Sequence, residues 1–196
     1  MTERTGNTRE RIQQVALDLF AEQGYDKTSL REIAERLDVT KAALYYHFKT
    51  KDEILGSVLD DYLTEVEELA DWAEQQPQDA EHRREVLTRY IDIAGRGIKA
   101  ARFVQRAPEH TGQSGIGERF MKAMKRMNLV FASQDAPLAE RLRTSMGIIS
   151  VHMGLMIFGP ESARPEERGY DPDEVRAAVT EVATELVIGA DKRAAR

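Results

Sequence analysis

Two short amphipathic segments separated by a tight turn constrain the fold of this 196-residue chain more than any other feature. In residues 30–37, apolar side chains recur at the i, i+3, i+4 and i+7 positions of a helix. Ser29 precedes this segment and Glu32 follows three residues later, which is the pattern of a capping box. A turn at residues 38–39 leads directly into the second segment, residues 40–51. The pattern predicts two short helices joined by a tight turn, the helix-turn-helix arrangement.

The second segment carries groups that suit a DNA surface. Leu44 and Phe48 lie four residues apart and give the helix one packing side. The remaining side chains are small, hydroxylated, basic or aromatic: Thr40, Lys41, Ala42, Ala43, Tyr45, Tyr46 and His47, with Lys49 and Lys51 just beyond. Such donors suit phosphate oxygens, and small residues suit the major-groove floor and thymine methyl groups. The alternative is an aromatic helix end that only packs.

Three runs of sequence together resemble the DNA-binding domain of the TetR (tetracycline repressor) family. They are residues 28–34, residues 39–48 and the Lys51-Asp52-Glu53 run with Leu55, and the resemblance covers roughly residues 8 to 56. It implies an all-α protein with a three-helix helix-turn-helix domain in residues 1–50. A larger ligand-binding and dimerisation domain would occupy residues 51–196.

The resemblance also implies roles for individual residues. Five would face the major groove and its walls, and four would bind phosphates. The groove-facing set is Thr40, Lys41, Ala42, Ala43 and Tyr45, and the phosphate-binding set is Tyr46, His47, Lys51 and Thr28. Two alanines at the centre of the reading face favour readout of DNA shape over base-specific hydrogen bonding.

Helical periodicity, caps and breakers predict about nine helices in the whole chain. The first starts near Asn7 or Thr8 and stops at Gly24. A long helix starts at Lys51 and, without Gly or Pro between Gly56 and Pro77, extends for about 38 Å at 1.5 Å per residue. The others are predicted at residues 79–97, 98–107, about 118–131, 137–158 and 172–187.

The last two predicted helices carry apolar stripes. Val175, Val179, Val182 and Leu186 mark the final one, and residues 138–156 mark the one before it. Two such helices packed against their two-fold mates would form the four-helix dimer interface of TetR-like proteins, so we expect a homodimer. The alternative is that the stripes complete a monomer core.

Methionines and aromatics of the body predict an apolar effector cavity. Six methionines fall between residues 121 and 156. Thioethers and aromatic rings can line an adaptable cavity for a hydrophobic or aromatic small molecule, and the resemblance implies such an effector. The candidate lining residues are Trp72, Phe103, His110, Phe120, Met121, Met124, Met127, His152 and Met153, the two histidines orienting a polar group. The alternative is that these residues only fill the core.

Other function classes find little support. The chain has no cysteine, no Gly-rich phosphate loop after a strand and no histidine pair at metal-ligand spacing, so we expect neither an enzyme nor a cofactor. Residues 1–51 hold nine Lys or Arg against eight Asp or Glu, about +1, so the body carries about −7 of the total net charge of −6. No apolar run reaches the roughly 20 residues of a membrane span, which predicts a soluble, cytoplasmic protein.

The sequence therefore predicts a DNA-binding regulator, a repressor released from a palindromic operator when an effector tilts the helix that starts at Lys51. Three alternatives stay open at this point. They are a ligand-independent or activating regulator, a ligand-binding helical protein whose helix-turn-helix only packs, and a small helical enzyme.

Overall fold

The computed structural model describes residues 2–77, 79–106, 116–159 and 170–189, with the side chains of 8–77, 79–98, 117–159 and 170–189. These residues form eight helices and no strand. The helices are α1 (Thr2–Gln23), α2 (Leu30–Arg36), α3 (Lys41–His47), α4 (Lys51–Glu74), α5 (Ala80–Arg106), α6 (Ile116–Phe131), α7 (Leu138–Phe158) and α8 (Pro172–Val187). The predicted all-α class is confirmed. None of the described helices combines the length and apolarity that a membrane crossing requires.

The local signals around α2, α3 and α8 act as the sequence predicts. Ser29 and Glu32 form the reciprocal capping box, with the Ser29 amide donating to the Glu32 carboxylate at 2.7 Å. Asp38 takes a positive φ of 54° in the turn between α2 and α3, a conformation that Asp tolerates better than most residues. Asp171 caps α8, with Pro172 in its first turn. These contacts fix where the short helices begin and end.

Two predicted helix boundaries are wrong. The helix α1 begins at Thr2 rather than near Asn7, and the predicted helices at 79–97 and 98–107 are one continuous α5. Gly95 and Gly97 do not interrupt α5, because a mid-helix glycine costs only about 1 kcal/mol relative to alanine. Gly97 has a packing role in addition, since it lies against the ring of Tyr62. The chain therefore has one helix fewer than predicted within the described residues.

The helix α4 joins two hydrophobic clusters. Its first part contributes Ile54, Leu55 and Leu59 to a cluster with α1, α2 and α3. From Tyr62 onwards it contributes to a second cluster with α5, α6, α7 and α8. The change of cluster falls between Leu59 and Tyr62, and the division between residues 50 and 51 stays a prediction.

Charged contacts bind α6 to the outer side of α4. Arg119 donates to Glu67 at 2.7 Å and also contacts Asp60. One heptad further along α6, Arg126 contacts Asp71 at 2.7 Å and Glu74 at 2.8 Å. The spacing of seven places both guanidinium groups on the same side of α6, facing the acidic row of α4.

Candidate nucleic-acid interface and effector site

One side of α3 is buried and the opposite side is open. Leu44 and Phe48 pack into the N-terminal cluster with almost no exposed surface. Thr40 caps the helix, its hydroxyl accepting from the Ala43 amide at 3.2 Å. Lys41, Ala42 and Ala43 are exposed, and Tyr46 is 78% exposed. A large aromatic residue so exposed has little packing role in the isolated protomer and suits an intermolecular contact.

The basic and aromatic side chains of α3 are arranged by contacts with one another. The Lys41 ammonium lies 5.4 Å from the ring centroid of Tyr45, and the Lys49 ammonium donates to the Tyr45 carbonyl. The rings of Tyr46 and His47 meet edge to face at 5.3 Å. Tyr45 and His47 are half-buried. These contacts form two groups, Lys41 and Lys49 with Tyr45, and Tyr46 with His47.

Lys51 has a structural role that the sequence did not indicate. Its ammonium donates to the Tyr25 carbonyl and lies 4.1 Å from the centroid of the Tyr25 ring, while the Tyr25 hydroxyl donates to Asp52. Burial, with a smaller effect of the Asp52 contact, raises the pKa of Tyr25, so the phenol stays protonated. The first turn of α4 is thus fixed to the turn that follows α1. Lys51 keeps partial exposure, and its phosphate contact stays a prediction.

Thr28 does not lie on this surface. It is 2% exposed, and its hydroxyl donates to the Gly24 carbonyl at 2.8 Å. The hydroxyl also accepts a hydrogen bond from the side-chain amide of Gln23 at 3.3 Å. The side chain thus serves the turn between α1 and α2, and the prediction that its hydroxyl binds phosphate does not fit this conformation.

Eight of the nine candidate effector residues fall into three groups. Phe120, Met124 and Trp72 are partly buried against the body cluster, and Met127 is a fully buried member of it. Met121 is 68% and Met153 42% exposed, because both point away from the inward sides of their helices, so neither lines the core of the protomer. Phe103 and His110 lie outside the residues whose side chains are described.

His152 belongs to a polar cluster inside the body. Its Nε2 lies 2.9 Å from the Tyr62 hydroxyl and 3.4 Å from the Tyr90 hydroxyl. The Phe120 ring meets the imidazole edge to face at 6.2 Å. Burial lowers the pKa of His152, raises the pKa of Tyr62 to about 12 and raises the pKa of Tyr90, so all three groups are neutral near pH 7. The sequence did not indicate that Tyr62 and Tyr90 contact His152, because they lie 90 and 62 residues from it along the chain.

Residues 12–58, from the middle of α1 to the first third of α4, match the model of the bacterial regulatory proteins of the tetR family. The helix-turn-helix segment of this chain therefore matches the TetR family. Together with the helix-turn-helix geometry, this identifies a DNA-binding transcriptional regulator and confirms the resemblance found in the sequence. The family and the similar proteins described next are regulators of transcription rather than enzymes.

Similar proteins extend beyond the matched segment. The HTH-type transcriptional repressor Rv3405c of Mycobacterium tuberculosis is 29% identical over 179 residues, covering 90% of this chain and 87% of that protein. The HTH-type transcriptional regulator AcrR of Shigella flexneri is 47% identical over 51 residues, covering 26% of this chain and 24% of AcrR.

Solved structures of regulators share the fold over most of their length. A TerR/AcrR-family transcriptional regulator from Aquifex aeolicus gives a TM-score of 0.65 at 19% identity, covering 89% of this chain and 96% of that one. A tetR-family regulatory protein from Rhodococcus gives 0.61 at 23% identity, covering 91% and 96%. The TetR-family likeness in fold therefore includes the body as well as the helix-turn-helix.

Proposed function

We propose that this TetR-family regulator is a repressor that binds a palindromic operator as a homodimer and leaves it when the body binds a small hydrophobic or aromatic effector. The observation that carries the proposal is the exposed donor surface of α3, held by Leu44 and Phe48 on a small core that continues into α4. As a regulator of chromosomal operators, the protein would act in the cytoplasm.

The groove-facing residues in this proposal are Thr40, Lys41, Ala42, Ala43 and Tyr45, and the phosphate-binding residues are Tyr46, His47 and Lys51. Thr28 is left out because its hydroxyl is buried and occupied. The two exposed alanines have methyl groups but no donors, so we expect thymine contacts and DNA shape to contribute much of the specificity.

The homodimer is supported by an apolar stripe along the outside of α7. Six large apolar side chains, spaced by three or four residues, are between 39% and 72% exposed: Leu138, Leu142, Met146, Ile149, Met153 and Ile157. The stripe is about 28 Å long at 1.5 Å per residue. Of the stripe predicted on α8, Val182 is exposed, whereas Val175 and Val179 are buried in the core of the protomer. A contiguous apolar surface of this size marks an interaction site, and a self-complementary patch gives a two-fold dimer.

A two-fold dimer explains why the operator should be palindromic. Two identical recognition helices present the same residues to two half-sites, whose centres lie about 34 Å apart when both face the same side of the DNA. One α3 alone offers few contacts. Doubling them on one rigid dimer supplies affinity, and makes that affinity depend on the distance between the two recognition helices.

The effector would change this distance through α4. This helix has 24 residues, about 36 Å, with its first turn fixed to Tyr25 and its later part packed in the body. A small tilt of α4 in the body would therefore move α3 relative to its two-fold mate. Linkage requires reciprocity, so operator DNA must weaken effector binding by the same factor by which effector weakens operator binding.

The experiment is a titration of the purified protein with the DNA flanking its own gene at two salt concentrations. Lys41→Ala should weaken specific binding about 10-fold and reduce the salt slope by roughly one per subunit. Lys122→Ala is the matched control, because this exposed lysine on α6 carries the same charge outside the helix-turn-helix. Equal binding to unrelated DNA, or equal losses in the two variants, would refute the proposed surface.

A further inference from the structure

Three polar side chains from three helices meet inside the apolar core of the body. Tyr62 comes from α4, Tyr90 from α5 and His152 from α7, and we refer to them as the Tyr-Tyr-His cluster. Tyr90 is fully buried and Tyr62 nearly so. Their neighbours Phe120 and Met124, both from α6, are only partly buried and cover the cluster on that side.

The hydrogen bonds of the cluster leave Tyr90 with a poor acceptor. His152 Nδ1 lies 3.2 Å from the Ile148 carbonyl, to which it can only donate, so Nε2 is the acceptor and accepts a hydrogen bond from the Tyr62 hydroxyl. The Tyr90 hydroxyl lies 3.2 Å from the Met124 sulfur, a weak acceptor, and it also interacts with the Tyr62 hydroxyl, which is already engaged with His152. The Tyr90 distance to Nε2, 3.4 Å, is longer than a good hydrogen bond.

A buried hydroxyl normally has a strong partner, because an unsatisfied one loses its hydration without compensation. An oxygen acceptor in place of the thioether would give Tyr90 that partner. Met124 has a flexible side chain and is only partly buried against the core, so we expect it to be the side chain that moves for a ligand.

The surroundings select against charge. The described hydrogen bonds of the three side chains join only phenols, the imidazole, a thioether and a carbonyl. An ammonium ion brought here would lose its hydration without gaining a counter-ion among these groups, and a carboxylate would gain one only by protonating His152, whose pKa is lowered by burial. An uncharged acceptor bears a much smaller penalty.

We propose that the Tyr-Tyr-His cluster is the recognition site for an uncharged, largely apolar carbonyl compound, whose oxygen accepts from Tyr90 in place of Met124. The inference rests on the proposed function in one respect, since it takes the body to be an effector site. The same oxygen competes with His152 Nε2 for the hydrogen bond that the Tyr62 hydroxyl donates. Because Tyr62 belongs to α4 and His152 to α7, that competition loosens a direct link between the DNA-bearing helix and the proposed dimer helix.

The test uses three probes of similar size: acetophenone as the uncharged carbonyl, ethylbenzene without an acceptor, and benzoate as the anion. Calorimetric titration of the full-length protein should give about 5- to 10-fold tighter binding of acetophenone than of ethylbenzene, the effect of one buried hydrogen bond, and the weakest binding for benzoate. Equal affinity for acetophenone and ethylbenzene, tightest binding of benzoate, or no binding of any probe would overturn the proposal.

Two variants assign the preference to Tyr90. Tyr90→Phe removes only the hydroxyl and should bring the acetophenone and ethylbenzene affinities within about 2-fold of each other. Met124→Leu keeps the volume but removes the competing sulfur, so it should increase the preference for acetophenone. If Tyr90→Phe does not fold, Met124→Leu still tests the proposal. An unchanged or reduced preference for acetophenone over ethylbenzene in that variant would contradict the replacement of the Met124 sulfur by the ligand oxygen.

Operator binding, measured on the same preparations, separates the two proposals. If the protein prefers acetophenone but binds no operator, the recognition site is supported and the proposed function is refuted. If the protein binds its operator but has equal affinity for acetophenone and ethylbenzene, the proposed function is supported and the recognition site is refuted.

Discussion

Replacing Gly97 by alanine tests the packing that holds Tyr62 in place. A Cβ at position 97 would lie 3.0 Å or less from three atoms of the Tyr62 ring, whereas a Cβ at Gly95, two residues earlier on α5, would meet nothing within 4 Å. Both are mid-helix glycines, so both substitutions gain about 0.5–1 kcal/mol from helix propensity. Only Gly97→Ala must displace a buried ring, at a cost of about 1–3 kcal/mol for overpacking.

Gly95→Ala should therefore raise the free energy of unfolding, and Gly97→Ala should leave it unchanged or lower it. The difference between the two variants, about 1–3 kcal/mol, isolates the packing contribution because the propensity gain cancels. Urea unfolding at one fixed protein concentration measures it. Displacement of the Tyr62 ring should also reduce the preference for acetophenone. Equal stabilisation by both substitutions would refute the close packing of Tyr62 on Gly97.

The remaining predictions concern pH, assembly and α6. Burial lowers the pKa of His152 in the folded state, so the unfolded chain binds the proton at a higher pH than the folded chain. The free energy of unfolding should therefore fall as the pH drops below about 6.5, the ordinary pKa of histidine. Urea titrations at several pH values should show a weaker pH dependence for His152→Gln. Ile149 is 49% exposed in the protomer, so Ile149→Glu should keep the helical circular dichroism signal. Light scattering should show a monomer in place of the dimer. A dimer that persists would contradict the α7 interface. Arg119→Met should lower the free energy of unfolding by about 1 kcal/mol at low salt and by less at high salt, because the carboxylate partners Asp60 and Glu67 are partly exposed. A loss of unfolding free energy that does not depend on salt would indicate a packing role for Arg119 instead.

Features encoded by near neighbours were predictable from sequence. The Ser29–Glu32 capping box and the Leu44–Phe48 packing side depend on residues three or four apart, so their pattern specifies the structure directly. The open side of α3 follows, because a helix with one buried side must expose the other. The same reasoning found the α7 stripe.

Features that depend on distant contacts were not predictable. Gly97 reads as a helix break, yet in the fold it packs against Tyr62, 35 residues earlier on α4. Thr28 has a residue type suited to phosphate, but the turn after α1 directs its hydroxyl inward. The Tyr-Tyr-His cluster joins three helices, and no periodicity within one helix reveals that the side chains of His152 and Tyr62 meet.

The central claim is that two α3 helices of one dimer bind two half-sites of one operator, and hydroxyl-radical footprinting on the bound operator tests it most directly. The account predicts two protected half-sites on one side of the DNA, centred about one helical turn apart, and their loss together in Ile149→Glu at the same protein concentration. A single protected half-site in the wild type, or an unchanged footprint in Ile149→Glu, would contradict it.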